Sequence, residues 1–505
     1  MSQSVIVKRK AIVRKTHRPM VLAALVLAMF MSAIEMTIIS TAMPSIVGEL
    51  GGFSLYSWVF SAFTLMQAVT TPIYGKLSDL FGRKPIFMIG IVIFLSGSIL
   101  CGFSTSMFML VIFRVIQGFG AGAVQPIAMT IIGDMYTVEE RAKVQGYFSS
   151  VFGISSVIGP LVGGIIVHYS HWSWIFWMNV PLGLLAAAGA IFFLHEGVEK
   201  KKRSIDYAGS GLFFVSITSL MVVLIQGGGA WRWTSPQILA LLLAFVLGAA
   251  LFLKQEGRAS EPMMPLHIWR NRFIAIGNTA TLTSGAIVIG LSSFLPTYIQ
   301  GVMGGSAFIA GFTLTVMTVG WPIAAWLAGF TIIKIGIRPT AVIGGIAIFI
   351  GSLFFVTLDP SKGPMWAGAG SFIIGIGMGF SNSAFLISIQ NSVPWQMRGV
   401  ATASNMFMRL LGSSVGAALL GGVLNLRFKR FISSNENPLG DVISMNSINQ
   451  VLNSSGSHPL PAEQLHIVQR GLTISLHQVY WGVFVLAVIT LIGTLMLPKI
   501  ESKTD

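Results

Sequence analysis

The stretch GKLSDLFGRKP at residues 75–85 recurs in altered form as GFTIIKIGIRP at residues 329–339. The two copies share two glycines, a basic residue and a proline at the same positions, and they lie 254 residues apart. Each copy comes at the end of a long apolar run, so the same kind of turn closes the same kind of segment twice. This pairing indicates that the chain contains two related halves.

A second set of matches in other segments has a single offset of 257 residues. Three alternating glycines recur, followed by an arginine and then by a further glycine. One offset shared by several segments is hard to obtain by chance, so the matches support an internal repeat. The matched pairs are Gly118 with Gly375, Gly120 with Gly377, Gly122 with Gly379, Arg141 with Arg398, and Gly159 with Gly416.

The composition is that of a membrane protein. Of the 505 residues, 54% are hydrophobic and only 10% are charged, whereas soluble domains carry about 25% charged residues. The single cysteine, Cys101, excludes an intrachain disulfide and a cysteine-based metal site. The net charge of +15 does not indicate nucleic-acid binding, because the basic residues form short clusters between apolar runs.

Fourteen runs are apolar enough to cross a membrane as helices, which takes about 20 residues each. Because the number is even, both termini should lie on one side, and the distribution of lysine and arginine predicts that this side is the cytoplasm. We therefore expect an all-α, multi-pass protein of the cell membrane. The runs are 20–43, 55–74, 85–104, 107–132, 144–167, 173–194, 207–226, 236–253, 273–295, 306–330, 339–358, 364–388, 399–424 and 479–497.

In the repeat, each matched span of the first half corresponds to the span eight positions later. Fourteen spans then divide into a first group of six, two inserted spans and a second group of six. Parallel repeats of this kind are a transporter architecture with substrate held between the halves. The stretch 461–481 in the long outer loop is predicted to form an amphipathic helix on the outer surface. The predicted parts are a basic tail 1–19, a six-helix bundle 20–197, two inserted helices 198–258, a second bundle 259–498 with outer loop 425–478, and a tail 499–505.

The loop at 75–85 carries charge where the predicted second span ends. Asp79 is expected to face the positive amino-terminal end of the third span or neighbouring cations, with the basic residues in the cytoplasm. The segment is either a solvated turn or a latch that holds the inner helix ends together in one state. Since Ile333 replaces Asp79 in the second copy, a latch would be asymmetric. Its candidate residues are Gly75, Asp79, Gly82, Arg83 and Lys84.

Glu35 is the one ionisable residue in a long apolar stretch, FMSAIEMTIIS at residues 30–40. Arg114 lies at a similar depth in the fourth span, both being roughly 22 to 27 Å from the inner ends at ~1.5 Å per residue. Ionisable residues at membrane depth usually mark a pathway or a partner. We expect both to face a central cavity, where Glu35 exchanges a proton and Arg114 biases that exchange. The alternative is a permanent buried ion pair.

Other polar residues within spans are candidates for the same cavity, although each could instead hydrogen-bond neighbouring helices. Asp134 is either a second proton acceptor or an interfacial charge. Arg409 has either a structural role or binds an anionic group. The cavity candidates, besides Glu35 and Arg114, are Gln67, Gln117, Gln125, Asn278, Asn382 and Asn405.

The fifth span contains GISSVIGPLVGG, which is rich in glycine and has one proline. This pattern favours either a close-packing groove or a bend that lets the helix move during transport. The residues concerned are Gly153, Gly159, Pro160, Gly163 and Gly164.

These motifs, in this order, resemble the major facilitator superfamily, and the motif in the fifth span is similar to the segment associated with its antiporters. Fourteen spans resemble its drug:proton antiporter branch. The resemblance implies multidrug efflux and antibiotic resistance, driven by a proton gradient without a cofactor, for hydrophobic and often cationic substrates, by a monomer. The last six spans contain no Asp or Glu, which argues against divalent-cation substrates. Further matches are AIEMTIISTAMP (33–44), WSWIFWMNVPLG (172–183), FLPTYIQGVMGGSAFIAG (294–311) and RGVATASNMFMRLLGSSVG (398–416).

Two alternatives remain open at the level of sequence. The first is proton-coupled transport of one specific metabolite or natural product. The second, an intramembrane enzyme or a channel, is less favoured because the sequence has no recognisable nucleophile–base pair, metal cluster or pore repeat. The sequence also lacks a Walker A loop, so ATP is not expected to drive the protein directly.

Overall fold

The computed structural model describes residues 16–51, 55–196, 206–227, 231–259, 261–433 and 461–498. Within these residues the chain is helical, and the one extended pairing is an isolated bridge between Gly227 and Trp231. Both predicted tails lie largely outside the described residues, as does the middle of the predicted outer loop.

The helices are described in three consecutive groups along the chain. In the first group, α6 and α7 together make one span. The first group is α1 (Arg18–Leu50), α2 (Tyr56–Phe81), α3 (Arg83–Gly102), α4 (Met107–Met135), α5 (Val138–Tyr169), α6 (Trp174–Trp177) and α7 (Asn179–Phe193). The inserted pair is α8 (Tyr207–Gln226) and α9 (Pro236–Glu256). The last group is α10 (Arg272–Thr297), α11 (Ala307–Ile335), α12 (Ile337–Val356), α13 (Gly363–Asn391), α14 (Arg398–Ile432) and α15 (Ala462–Leu495).

Twelve helical segments in the described part of the chain are long and apolar enough to cross a membrane. Helices α2 and α5 are not among the twelve, although they contain 26 and 32 residues. The α2 sequence is interrupted by serine, threonine and glutamine, and α5 begins with the charged segment VEERAK. These polar residues lower the mean hydropathy of α2 and α5, so the two helices are not counted as candidate spans.

Helix packing repeats between the two groups of six. In the first group α4 packs on α2 and α3, and α1 packs on α5 and α7. In the second group α13 packs on α11 and α12, and α10 packs on α14 and α15. The two groups meet through α5 against α11 and through α2 against α14, which is one type of contact made twice. The sequence repeat thus corresponds to two similar helical halves related by pseudo-twofold symmetry.

Single glycines show the same relation. A Cβ added at Gly118 would overlap the carbonyl of Phe63, and one added at Gly375 would overlap the carbonyl of Met317, 254 residues later. Such close backbone approach is possible only where a side chain is missing. Two further pairs behave alike: Gly120 and Gly377 back onto Phe94 and Ile348, and Gly122 and Gly379 back onto Thr70 and Trp321.

The inserted helices lie on the outside of the seam between the halves. Helix α8 packs on α9 and also contacts α2 and α14, which belong to different halves. The Phe213 ring of α8 lies 5.5 Å from Phe407 of α14 and 5.4 Å from Phe252 of α9. An apolar cluster therefore joins the inserted pair to both halves.

The predicted surface helix at 461–481 is wrong. Helix α15 runs without a break from Ala462 to Leu495, so this stretch continues into the last span. Its apolar face packs on the equally long α14, where Gly471 lies directly against Phe428 and Phe431. The apolar residues that suggested contact with a membrane surface are instead buried between two extended helices.

Candidate functional site

A cavity of about 340 Å³ lies between the two halves. Helices α2, α4 and α5 line it from the first half, and α10, α11, α13 and α14 line it from the second. Its wall is mainly apolar, with Phe148, Phe152, Met317 and Trp321 among the larger side chains. A site between parallel repeats is where transporters of this architecture hold their substrate.

Four of the predicted cavity residues line this space, namely Gln67, Gln125, Asn382 and Asn405. The other four do not, namely Glu35, Arg114, Gln117 and Asn278. Asn278 lies one layer behind the wall, where its carbonyl oxygen accepts a hydrogen bond from Nδ2 of Asn405 at 3.2 Å. The residues assigned to one cavity therefore occupy two separate places in this conformation, which corrects the expectation that Glu35 and Arg114 face the central cavity.

Glu35 and Arg114 form a buried ion pair inside the first half. Nη1 of Arg114 lies 2.7 Å from Oε1 of Glu35 and 2.7 Å from Oε1 of Gln117, and Nε donates to the Val59 carbonyl at 3.0 Å. The guanidinium also lies 4.1 Å from the centre of the Phe63 ring. The exposed fractions of Arg114 and Glu35 are 1% and 0%. In this conformation the pair is closed to water, as the alternative of a buried ion pair predicted.

Two residues that sequence reasoning missed complete this network. Nδ2 of Asn179, at the start of α7, donates to Oε2 of Glu35 at 2.6 Å and to Oγ of Ser98 at 3.0 Å. Gln117 also donates to Oγ of Ser98, at 3.1 Å. Asn179 is a polar residue in the otherwise apolar stretch WMNVPLG. A polar residue in an apolar stretch is the same signal that identified Glu35. Hydrogen bonds around the Glu35 carboxylate thus connect α1, α3, α4 and α7, and we call this set of residues the Glu35 network.

A second cluster joins the two halves at the end of the bundle where α2 meets α3. The Asp79 carboxylate accepts hydrogen bonds from the backbone N–H groups of Gly399 and Val400 at 2.9 and 2.8 Å. These N–H groups belong to the first turn of α14, where a carboxylate is favoured by the unpaired donors and by the helix dipole. Asp79 therefore caps a helix of the opposite half instead of α3, whereas the predicted alternative, a contact with a neighbouring cation, is present at Arg83.

Arg83 extends this contact. Its guanidinium lies 2.7 Å from Asp79 and 3.1 Å from Asp134, and it donates to the carbonyl of Trp395 in the second half at 2.8 Å. Only 2% of the Arg83 side chain is exposed, so the guanidinium is buried in this contact and does not extend into water. Lys84 also turns inward, where Nζ donates to the Leu194 carbonyl at 2.7 Å.

Asp134 lies between two cations of different origin. It contacts Arg83 from its own half and Nη1 of Arg398 from the second half at 3.1 Å. Beside it, Nη1 of Arg141 donates to the side-chain oxygens of Gln390 and Asn391 at 3.3 and 3.1 Å. Asp134 is thus an interfacial charge in this conformation. We call the set Asp79, Arg83, Asp134, Arg141 and Arg398 the latch.

Gly75 of α2 and Gly82, which lies between α2 and α3, permit the close backbone approach at the latch. A Cβ at Gly75 would overlap Ala403 of α14, and Gly82 has a φ of +98°, which favours glycine. The N-terminus of α3 is capped by Glu196, whose carboxylate accepts from the N–H groups of Arg83 and Lys84 at 2.9 and 3.0 Å. Sequence reasoning did not identify Glu196, because it lies 113 residues away along the chain.

The glycines of α5 face two different neighbours. Gly159 and Gly163 lie against Thr37 and Ile38 of α1, whereas Gly153 backs onto Thr318 of α11. Gly164 has open space where a side chain would extend. Pro160 lies inside the continuous helix Val138–Tyr169. Helix α5 is therefore closely packed on both sides, between the helix of Glu35 and the opposite half.

Comparison with known proteins places this chain in a family. Residues 25–417 match the family model described as Major Facilitator Superfamily. The multidrug transporter protein MdtP of Bacillus subtilis is 33% identical over 97% of this chain and 94% of that relative. Multidrug resistance protein 3 of the same organism is 39% identical over 80% of this chain and 79% of that relative.

A solved structure gives the fold independently. The crystal structure of the human organic anion transporter MFSD10 superposes with a TM-score of 0.62 and 12% sequence identity, covering 94% of this chain and 100% of that one. At this identity the likeness concerns the fold alone. The matched family model and the multidrug transporter relatives indicate transport and not enzymatic catalysis. The chain belongs to the Major Facilitator Superfamily.

Proposed function

We propose that the protein exports hydrophobic compounds from the cytoplasm in exchange for protons, by alternating access of the cavity between its two halves. The observation that carries this proposal is the Glu35 network, in which a carboxylate and a guanidinium are held together without water contact. The names of the two Bacillus subtilis relatives support the assignment to multidrug efflux.

The energetic argument concerns the protonation of Glu35. Breaking a buried ion pair by removing one charge leaves the other uncompensated, at a cost of about 3–5 kcal/mol. A proton on Glu35 removes the charge that Arg114 faces at 2.7 Å. The protonated protein therefore favours a conformation in which Arg114 finds water or another acceptor. A proton acts in this way as a ligand with different affinities for two conformations.

The packing provides a route from Glu35 to the seam between the halves. Two positions after Glu35, Oγ1 of Thr37 donates to the carbonyl of Ser155 in α5 at 3.0 Å. Helix α5 in turn packs on α11 of the opposite half. A displacement of α1 on protonation would therefore shift one of the two helices through which the halves meet.

The latch defines which conformation is present. It closes one end of the bundle, and we assign this end to the cytoplasm, as the distribution of basic residues predicts. Both termini would then be cytoplasmic. We further propose that α2 and α5 cross the membrane, which gives fourteen spans, because each packs between helices of both halves. The division into two bundles and an inserted pair, a monomeric state and a location in the cell membrane belong to the same proposal.

The alternative is a transporter for one metabolite or natural product. The two proposals differ in breadth, since broad export requires an adaptable, largely apolar wall. Structurally unrelated dyes loaded into cells that produce the protein would separate them. Export of several dyes supports multidrug efflux, and export of a single compound supports the alternative.

The direct test of antiport uses the purified protein in vesicles with an acidic interior and a pH-sensitive dye. Addition of a transported compound to the outside should drive it inward and bring protons out, which lowers the pH gradient. The control is the same protein with a compound that dye export shows is not transported. Transport without any change in the gradient would contradict proton coupling.

A further inference from the structure

Arg409 of α14 is the one charged side chain among the described residues that line the central cavity. No carboxylate from the described residues faces the same space, since Glu35 lies inside the first half. The charge of the cavity is therefore positive, which does not fit the often cationic substrates that the sequence led us to expect.

The surroundings of Arg409 differ from those of Arg83, Arg114 and Arg398. Arg83, Arg114 and Arg398 each lie within 3.1 Å of a carboxylate oxygen. Arg409 instead has one hydrogen bond, from Nη2 to Oε1 of Gln125, at 3.5 Å. The described residues give Arg409 no acidic partner. Arg409 is half-buried in the cavity wall. Because a charge partly removed from water is stabilised by an opposite charge, its guanidinium is available to accept an anion.

Further polar groups in the cavity wall lack hydrogen-bond partners among the described residues. These include Nδ2 of Asn382 and Oγ of Ser284, from two other helices of the second half. Both can donate a hydrogen bond, and a guanidinium can bind a carboxylate or sulfonate through two parallel bonds. The first half contributes the rings of Phe148 and Phe152, and the centre of the Phe152 ring lies 5.9 Å from the Arg409 guanidinium. The cavity thus combines donors for an anionic head with an apolar surface for a hydrophobic body.

We propose that this cavity selects amphiphilic organic anions, with the anionic head bound by Arg409 and the apolar body against the aromatic wall. This inference rests on the proposed function and specifies the charge of its substrates. A cavity of about 340 Å³ accommodates a body of two fused aromatic rings. Organic cations find no carboxylate in the described wall and meet the repulsion of Arg409 instead.

The test measures binding to the purified full chain by calorimetry, without any gradient. Three probes share a naphthalene body and differ in the head group: 2-naphthalenesulfonate, 2-naphthalenesulfonamide and (2-naphthylmethyl)trimethylammonium. The anion should bind at least about tenfold more tightly than the cation. Arg409→Gln should weaken binding of the anion by about tenfold or more and binding of the neutral sulfonamide by less than about threefold. Arg409→Lys should retain part of the anion affinity that Arg409→Gln loses.

The matched control is Arg270→Gln, which removes the same charge from an exposed position outside the cavity lining. Equal or tighter binding of the cation, unchanged anion binding in Arg409→Gln, or no anion binding at millimolar concentration would each overturn the inference. Because binding is measured at equilibrium, an anion preference would stand even if transport proved independent of protons. Proton-driven export combined with a preference for cations would overturn the anion assignment alone.

Discussion

Arg114 contacts three acceptors from three helices, which are the Glu35 carboxylate, the Gln117 amide and the Val59 carbonyl. Only a planar guanidinium with several donors can hold such a set in fixed directions. At the scale of single residues, this arginine therefore fixes the geometry of the Glu35 carboxylate and also supplies its counter-charge.

Replacement of Arg114 should separate charge from geometry. Arg114→Lys keeps the positive charge but loses the fork, and it should reduce export less than Arg114→Ala. Arg114→Ala leaves the carboxylate buried without a counter-charge, so we expect a loss of about 3–5 kcal/mol in the free energy of unfolding. Thermal unfolding and dye export of both variants provide the measurement. Equal export by the two variants would show that the retained charge has no role, and export by Arg114→Lys equal to that of the parent protein would show that the fork has none.

The sequence was sufficient to identify Glu35 and Arg114, because a charge in an apolar run is conspicuous. It was not sufficient to place them, since the face that a helical residue presents depends on which neighbours pack around it. Depth along the helix suggested correctly that the two meet, but the same reasoning put them in the cavity. Asn179 carried a comparable signal and was missed because an uncharged residue attracts less attention.

At the scale of elements, the latch joins α2 to the N-terminus of α14. Asp79→Asn keeps the shape of the side chain but removes the charge that faces two N–H groups. Since charge-assisted hydrogen bonds contribute about 1.5–3 kcal/mol, the population with this end open should rise by roughly tenfold or more. Spin labels at Phe81 and Lys334, both exposed and in different halves, would report it as a longer distance.

The background for this measurement is Cys101→Ser, which removes the single cysteine. Asp359→Asn is the matched control, because it changes an exposed acid outside the latch. A distance distribution in Asp79→Asn identical to that of the control would contradict the role of the latch.

Two glycines of α5 offer a second matched pair. A Cβ at Gly159 would overlap Thr37 of α1, whereas one at Gly164 meets nothing within 4 Å. We expect Gly159→Ala to cost about 1–3 kcal/mol of stability through overpacking. Gly164→Ala should be neutral or stabilise the helix by up to about 1 kcal/mol. Thermal unfolding of both variants tests this, and equal loss in the two would refute the packing assigned to α5.

The repeat illustrates what the sequence can establish about elements. Glycines matched at one offset predicted equivalent helices, and the packing confirms it, because each glycine fills a position where two backbones meet. The end of the second half was predicted less well. Apolar residues on one face of 461–481 indicated a surface helix, since periodicity does not reveal whether the apolar face contacts lipid or another helix.

At the scale of the whole molecule, the two halves are similar but the contact of Asp79 within the latch is not duplicated. Ile333 occupies the position equivalent to Asp79 and is exposed. The N-terminus of α5, equivalent to that of α14, is capped within its own chain segment by Thr137 and Glu140. Of these two equivalent helix N-termini, that of α14 is capped by a carboxylate from the opposite half and that of α5 is not. The two halves therefore need not move symmetrically.

The proposed substrate charge determines how the membrane potential acts on the whole cycle. Export of one monovalent anion against one proton moves two positive charges inward, each favoured by about 2.3 kcal/mol per 100 mV of inside-negative potential. One-for-one exchange of a monovalent cation moves none. Vesicles with a potential set by potassium and valinomycin should therefore show faster exchange of a transported anion. An exchange rate independent of the potential would contradict anion–proton antiport.

The central claim is that proton exchange at Glu35 drives transport, and Glu35→Gln tests it most directly. Vesicles containing this variant should exchange labelled for unlabelled substrate across the membrane but should not accumulate substrate when a pH gradient is imposed. Exchange serves as the control that the variant folds and binds. Accumulation equal to that of the parent protein would contradict the claim.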